Sequence, residues 1–218
     1  ITVAQQKGGA GKTTLAAQLA VAWAVAGRRV AVVDVDPQGS LAGWHAARRS
    51  AFGVESEDAP AGGIVLRTAA GWRVEGTLDR LRRDTDLILL DSPPHAQNDT
   101  RAAIRAADLV LIPVQPSPMD LWATEGTLAL ARGERTPALI VANRLPPRGK
   151  VPEAVLAEIG RLDIPLAEAT LGNRVAFAAT MMEGRGVAEA GRSTAPTEPA
   201  PLAAATLARL GGWPLPDA

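Results

Sequence analysis

Residues 6–14 read Gln-Lys-Gly-Gly-Ala-Gly-Lys-Thr-Thr, and side chains of these types in this order suit a polyphosphate. Gly8, Gly9 and Gly11 let successive backbone N–H groups turn inward around an anion. Lys12 has the reach for β- and γ-phosphates, and the Thr13 hydroxyl suits Mg²⁺. Thr14 opens a helix whose N-terminus favours negative charge, so residues 8–14, Ala10 included, form the expected nucleotide cradle. The plain phosphate-loop pattern G-x-x-x-x-G-K-[ST] needs glycine at position 6, which here is Gln6. A second lysine, Lys7, precedes the glycines instead. The chain has three lysines against twenty arginines, and two of the three lysines lie in this loop. That placement fits a need for compact ammonium groups beside phosphate.

Three further positions could complete such a site. Asp34 and Asp36 share one face at the end of a valine-rich run, followed by Pro37-Gln38-Gly39. An acid there can hold a water or serve a metal shell, which makes Asp36 a catalytic and metal candidate. Asp34 either supports the metal shell or orders the loop. Asp91 follows four apolar residues, Leu87 to Leu90, and precedes Ser92-Pro93-Pro94. It is the principal Mg²⁺ candidate. Asn143 ends another apolar run, and its amide offers both a donor and an acceptor.

The run K-G-G-x-G-K-T, with D-x-D-P-Q at 34–38 and D-x-P-P at 91–94, resembles the ParA/MinD family of deviant Walker A P-loop ATPases. The stretch 109–121, with I-P-V-x-P-S-P, looks like the small ParA/ParF-type partition branch. The resemblance is sharp over 1–41 and 86–122 and weak beyond about 145. It implies that Lys7 reaches across a dimer interface to the partner's nucleotide, that Asp36 positions the attacking water, and that Asn143 contacts adenine. It further implies ATP and Mg²⁺ as cofactors, a homodimer formed on ATP, nonspecific DNA as a partner, and a ParB-like or other adaptor that stimulates hydrolysis. The expected location is cytoplasmic, on the nucleoid when ATP is bound. The DNA candidates, by region only, are Arg148, Lys150 and Arg174, with Arg144, Arg185 and Arg192 behind them.

These residues need a scaffold that brings strand ends to one edge. Residues 1–4, 29–35, 63–68, 87–91, 109–114 and 138–143 are nearly continuous apolar runs, as strands buried on both faces require. Helical spacing follows the loop at Leu15, Leu19, Ala22, Trp23 and Ala26, and helices are expected at 75–83, 97–106, 119–131, 152–160 and 202–210. The alternation predicts an α/β fold, a doubly wound and mostly parallel sheet with helices on both faces, as a single domain over 1–218. Residues 53–63 and 191–201 read as loops, with Trp213 beneath the last helix.

Composition narrows the function. There is no cysteine, which removes thiol chemistry and disulfides and disfavours the iron–sulfur branch of the superfamily. Net charge is zero, so no global field advertises nucleic acid. No apolar run reaches a membrane span, no leader precedes the first strand, and 202–213 carries one arginine, against a basic membrane helix. A MinD-like membrane-associated division-site regulator and a small-molecule enzyme of the same fold are the two alternatives.

Overall fold

The computed structural model describes residues 1–94, 97–146, 150–161, 164–190 and 197–211. Six strands, β1 (Thr2–Val3), β2 (Val30–Asp34), β3 (Ile64–Thr68), β4 (Leu87–Asp91), β5 (Val110–Val114) and β6 (Ala138–Ala142), form one sheet in the order β3-β2-β4-β1-β5-β6. Every neighbouring pair is parallel. The apolar runs predicted as strands are all strands, shortened by a residue or so at their ends. The doubly wound parallel sheet expected from the sequence is the fold observed.

Among the described residues eight α-helices accompany the sheet: α1 (Lys12–Val25), α2 (Ser40–Ala51), α3 (Val74–Leu81), α4 (Gln97–Arg105), α5 (Pro118–Glu134), α6 (Lys150–Ile159), α7 (Val175–Met182) and α8 (Pro199–Arg209). Alternating strand residues feed two cores. Val3, Val32, Leu89, Leu111 and Val141 pack with α1, α2, α7 and α8. On the other face Val110, Ile112 and Ile140 meet α5 and α6. There too, Ala31, Val33 and Leu90 meet α3.

Two elements differ from expectation. α2 was not foreseen: its buried face, Leu41, Trp44, His45 and Arg48, has helical spacing but carries a histidine and an arginine, which hide the apolar period. α8 begins at Pro199, inside the stretch read as a loop, because proline at the first helical positions needs no donor. Its Leu202, Ala203, Thr206 and Leu207 are buried, and Ala203 O accepts from Trp23 Nε1 of α1 at 3.2 Å. The apolar face of this helix is spent on the core, as the sequence suggested. Trp213 and residues 191–196 lie outside the described residues. Among the described residues, no helix is long and apolar enough to cross a membrane.

After α6 the chain runs alongside the β6 edge. Ile140 N donates to Pro165 O, Ala167 N to Ile140 O and Leu171 N to Ala142 O, all within 2.9 Å. This strip carries Asn173 and Arg174 up to the strand C-termini.

Arg48 locks the α2 layer. It is fully buried and makes two hydrogen bonds to Glu189, at 2.6 and 3.0 Å, and further ones to the carbonyls of Ala61, Gly62 and Gly184. Gly184, at φ +66°, lies so close that a Cβ would strike the Arg48 backbone. Arg48→Ala strands the Glu189 charge and should lower unfolding free energy by about 3–5 kcal/mol. Arg48→Met with Glu189→Leu should recover much of that loss. Urea titrations of the three proteins check both outcomes.

Candidate nucleotide site

The loop between β1 and α1 is held open by its carbonyls. Gly9 O accepts from Gln115 Nε2 at 2.8 Å and from Arg144 Nη1 at 3.1 Å. Ala10 O accepts from Asn143 Nδ2 at 2.8 Å. Gly9 and Gly11 have φ of +79° and +87°, and a Cβ on Gly11 would stand 2.6 Å from Asn143 Nδ2. Glycine at 11 is therefore required twice, by backbone angle and by contact. The first α1 bond runs from Leu15 N to Gly11 O at 2.9 Å, so the N–H groups of Lys12, Thr13 and Thr14 lack helical acceptors. Successive free N–H groups at a helix start make an anion site.

The two lysines go to different places. Lys12 is buried; that burial lowers its pKa, while Asp91 and Asp36 nearby oppose the shift. Lys7 is drawn away onto α5, where Nζ meets Asp120 Oδ2 at 2.5 Å with a third of the lysine side chain exposed. Ser117 Oγ donates to the same carboxylate oxygen and accepts from Asp120 N, capping α5. The sequence reading missed Asp120; its signal was the Ser-Pro-x-Asp helix start at 117–120.

Three more bonds tie this loop to α5. Gln5 exchanges hydrogen bonds with Thr124, at 3.1 Å, and Thr127, at 3.2 Å. Gln6 N donates to Thr127 Oγ1 at 3.2 Å. Position 6, where the plain pattern has glycine, is thus a strut between loop and helix.

The acids separate by role. Asp34 commits both oxygens to its own loop, accepting from Asp36 N at 3.1 Å and from Ala42 N at 2.9 Å. Of the two readings for Asp34, loop ordering is what the geometry shows. Asp36 is partly exposed and accepts from Gln38 N. Asp91 Oδ2 accepts from Thr13 Oγ1 at 2.6 Å, whereas Oδ1 is buried with no hydrogen-bond partner. An orphaned carboxylate oxygen beside a threonine hydroxyl is a hard-oxygen pair that fits Mg²⁺. Among the described residues no cluster of three or more acidic, histidine or cysteine side chains could hold a metal alone.

Asn143 uses both amide atoms within the chain, because its Oδ1 accepts from Arg144 N at 3.0 Å. One amide N–H and one oxygen lone pair remain for an adenine contact. Beside it a groove of about 120 Å³ is lined by Thr14, Asn143, Arg144, Asn173, Arg174 and Phe177. A larger cavity, about 840 Å³, opens at the opposite sheet edge around Ile1, Asp86 and Leu207, away from these groups. The chemistry-bearing groups, not the volume, locate the site. Of the DNA candidates, Arg174 is held by Glu198 at 2.7 Å, Arg148 and Arg192 lie outside the described residues, and Lys150 begins α6 with its side chain undescribed.

The model of the CobQ/CobB/MinD/ParA nucleotide binding domain matches residues 1–187. The chain belongs to this family. Its ParA and MinD members are ATPases. Maintenance of carboxysome distribution protein A of Halothiobacillus neapolitanus is 30% identical over 197 residues, covering 88% of this chain and 87% of that protein. Chromosome-partitioning ATPase Soj of Thermus thermophilus is 36% identical over 149 residues, covering 60% and 59%. The septum site-determining protein MinD of Pyrococcus horikoshii, solved with Mg-ADP, has a TM-score of 0.75 at 20% identity, covering 94% of each chain.

Burial pushes the Asp91 carboxyl up to about 7, against the Thr13 hydrogen bond that favours its ionised form. In the metal-free protein the fold then keeps a proton that the unfolded chain has released from about pH 4 upward. This group makes stability fall as pH rises to about 7 and level off above. Asp91→Asn removes the effect, so its thermal stability relative to the parent should improve from about pH 5 to about pH 8. Thermal unfolding in chelator at both values checks it.

Proposed function

We propose that this chain is a ParA-type ATPase that dimerises on ATP and Mg²⁺, binds nonspecific DNA, and is reset when an adaptor stimulates hydrolysis. The observation that carries the reading is the divergence of the two lysines. Lys12 stays within the cradle near Asp91, while Lys7 stands outside it on Asp120, where it serves no phosphate of its own loop.

Residues 8–14 hold the phosphates through backbone N–H groups, with Lys12 adding charge. Thr13 and Asp91 hold Mg²⁺, which neutralises phosphate charge when bound. Asp36, with a carboxylate on the exposed side of the strand end, orients water for attack. Lys7 leaves Asp120 and crosses to the partner's phosphates, so the nucleotide stabilises the dimer by mass action. Hydrolysis by one chain alone is slow, because positioning and charge stabilisation are complete only in the dimer with its adaptor. The relatives named above act on carboxysomes and chromosomes, and the cargo of this chain follows from its adaptor. Such a cycle runs in the cytoplasm, on the nucleoid in the ATP state.

With a non-hydrolysable ATP analogue, sedimentation should show a dimer for the parent protein. Lys12→Ala should not bind the nucleotide. Lys7→Ala should bind it and remain monomeric; a Lys7→Ala dimer like the parent's overturns the trans-lysine reading.

ATP should also induce binding to unrelated duplexes. A neutral monomer has little hold on phosphate, whereas a dimer aligns two copies of any basic patch. The logarithm of affinity should fall with the logarithm of salt by about 0.9 per phosphate neutralised. With Arg174 engaged by Glu198, Arg148 and Lys150 are the first cations to replace. Gel shifts with ADP and ATP over a salt series test this, and absence of binding at low salt removes the DNA role.

A further inference from the structure

Asp120 is an unusual acid for the first turn of a helix. A carboxylate there ordinarily faces the free N–H groups of the helix start. Among the described residues, the Asp120 side chain takes none of them. Its Oδ2 receives Lys7 Nζ and Ser117 Oγ, and its Oδ1 is buried with no hydrogen-bond partner. Ser117 caps α5 without its help, since Ser117 Oγ accepts from Asp120 N at 3.1 Å. The Asp120 side chain is 2% exposed, against 33% for Lys7. A buried carboxylate whose cation comes from a more exposed, distant segment holds that segment more than it braces its own helix.

The chain that delivers Lys7 is fixed to the same helix face. Gln5 and Gln6, just before Lys7, bond to Thr124 and Thr127, one and two turns beyond Asp120. Thr124 Oγ1 donates to Asp120 O at 2.8 Å, which joins these anchors to the acid. Lys7 therefore meets Asp120 within a single chain. An ammonium seated there cannot also touch another copy's phosphates. Its departure leaves a buried carboxylate with one serine hydroxyl, and separating a buried ion pair is unfavourable.

We propose that Asp120 is a positioning residue that latches Lys7 in the free chain and so sets the threshold for dimerisation on ATP. The inference rests on the trans-lysine reading given above and adds its regulation. Each dimer opens two latches, one per copy, so the factor at one latch enters the dimer constant squared. A latch at the low end of intramolecular couplings, about fivefold, lowers that constant about twenty-five-fold. The cradle of residues 8–14 and Lys12 lies outside the latch, so opening it is linked to pairing of two loaded copies.

Only three lysines are present, so acetylation read by mass spectrometry reports the latch directly. In nucleotide-free protein, trace acetic anhydride should modify Lys7 several-fold faster in Asp120→Asn than in the parent, with Lys150 of the same sample as reference. Asp120→Ser, equally unable to hold an ammonium by charge, should match it, which covers poor folding of either variant. A carboxylate that merely supports α5 would leave Lys7 labelling unmoved. With a non-hydrolysable ATP analogue, sedimentation over a protein concentration series should give Asp120→Asn a dimer constant about twenty-five-fold above the parent's. Adding Lys7→Ala should abolish that gain. Unchanged Lys7 labelling in both variants overturns the latch. Faster labelling with an unchanged or weaker dimer does so too, as does a gain that survives Lys7→Ala. A parent that fails to dimerise strikes the trans-lysine reading instead, on which the labelling does not depend.

Discussion

Everything at this sheet edge depends on where the carbonyls of Gly9 and Ala10 go. A loop that turns its N–H groups toward an anion must turn its carbonyls away, and here those carbonyls meet donors. Gln115 from the end of β5, with Asn143 and Arg144 from the end of β6, supply them. The strand order makes this possible: β5 lies directly beside β1, and β6 beside β5. The parallel sheet thus does more than carry residues to one edge. It sets the donors that keep the cradle open before any ligand arrives, which reduces the reorganisation required on binding.

A second constraint runs through α5. Gln5 is fastened to Thr124 and Thr127, Gln6 to Thr127 and Lys7 to Asp120, three positions on one face of that helix. Thr124 Oγ1 in turn donates to Asp120 O at 2.8 Å, so the anchors are linked to each other. The opposite face of α5 presents Met119 and Trp122 to solvent. The entrance to the loop therefore moves with α5 or not at all. The four bonds to α5 all lie at residues 5–7, outside the residues 8–14 that cradle phosphate.

The sheet was legible because strands buried on both faces write long apolar runs, and six such runs became six strands. The cradle was legible because its backbone conformation demands glycine at fixed offsets. α2 escaped because its inward face uses His45 and Arg48, whose polarity is cancelled only by partners distant in sequence, Ile64 O and Glu189. Asp120 escaped for the same reason: an acid in the first turn of a helix looks like ordinary capping until Lys7, more than a hundred residues away, is placed beside it. Asn143 shows the reverse. Its position was correctly singled out, but a sequence cannot say that both ends of the amide are already engaged.

The electrostatics of the cradle follow from a mismatch. Lys12 and Asp91 are both buried, and burial moves each toward its neutral form. Asp34 and Asp36 add negative charge near Asp91, while Thr13 and Lys12 oppose it. Asp91 Oδ1 has no hydrogen-bond partner here, and the N–H groups of Lys12, Thr13 and Thr14 have no helical acceptor. A phosphate–metal pair meets both needs, because the anion takes the N–H groups and Lys12 while the cation takes the oxygen. Neither half suffices: the metal without phosphate leaves the N–H groups unmet, and phosphate without metal brings negative charge against Asp91. The site is built to prefer the two together, and that preference reads the nucleotide's charged end rather than its base.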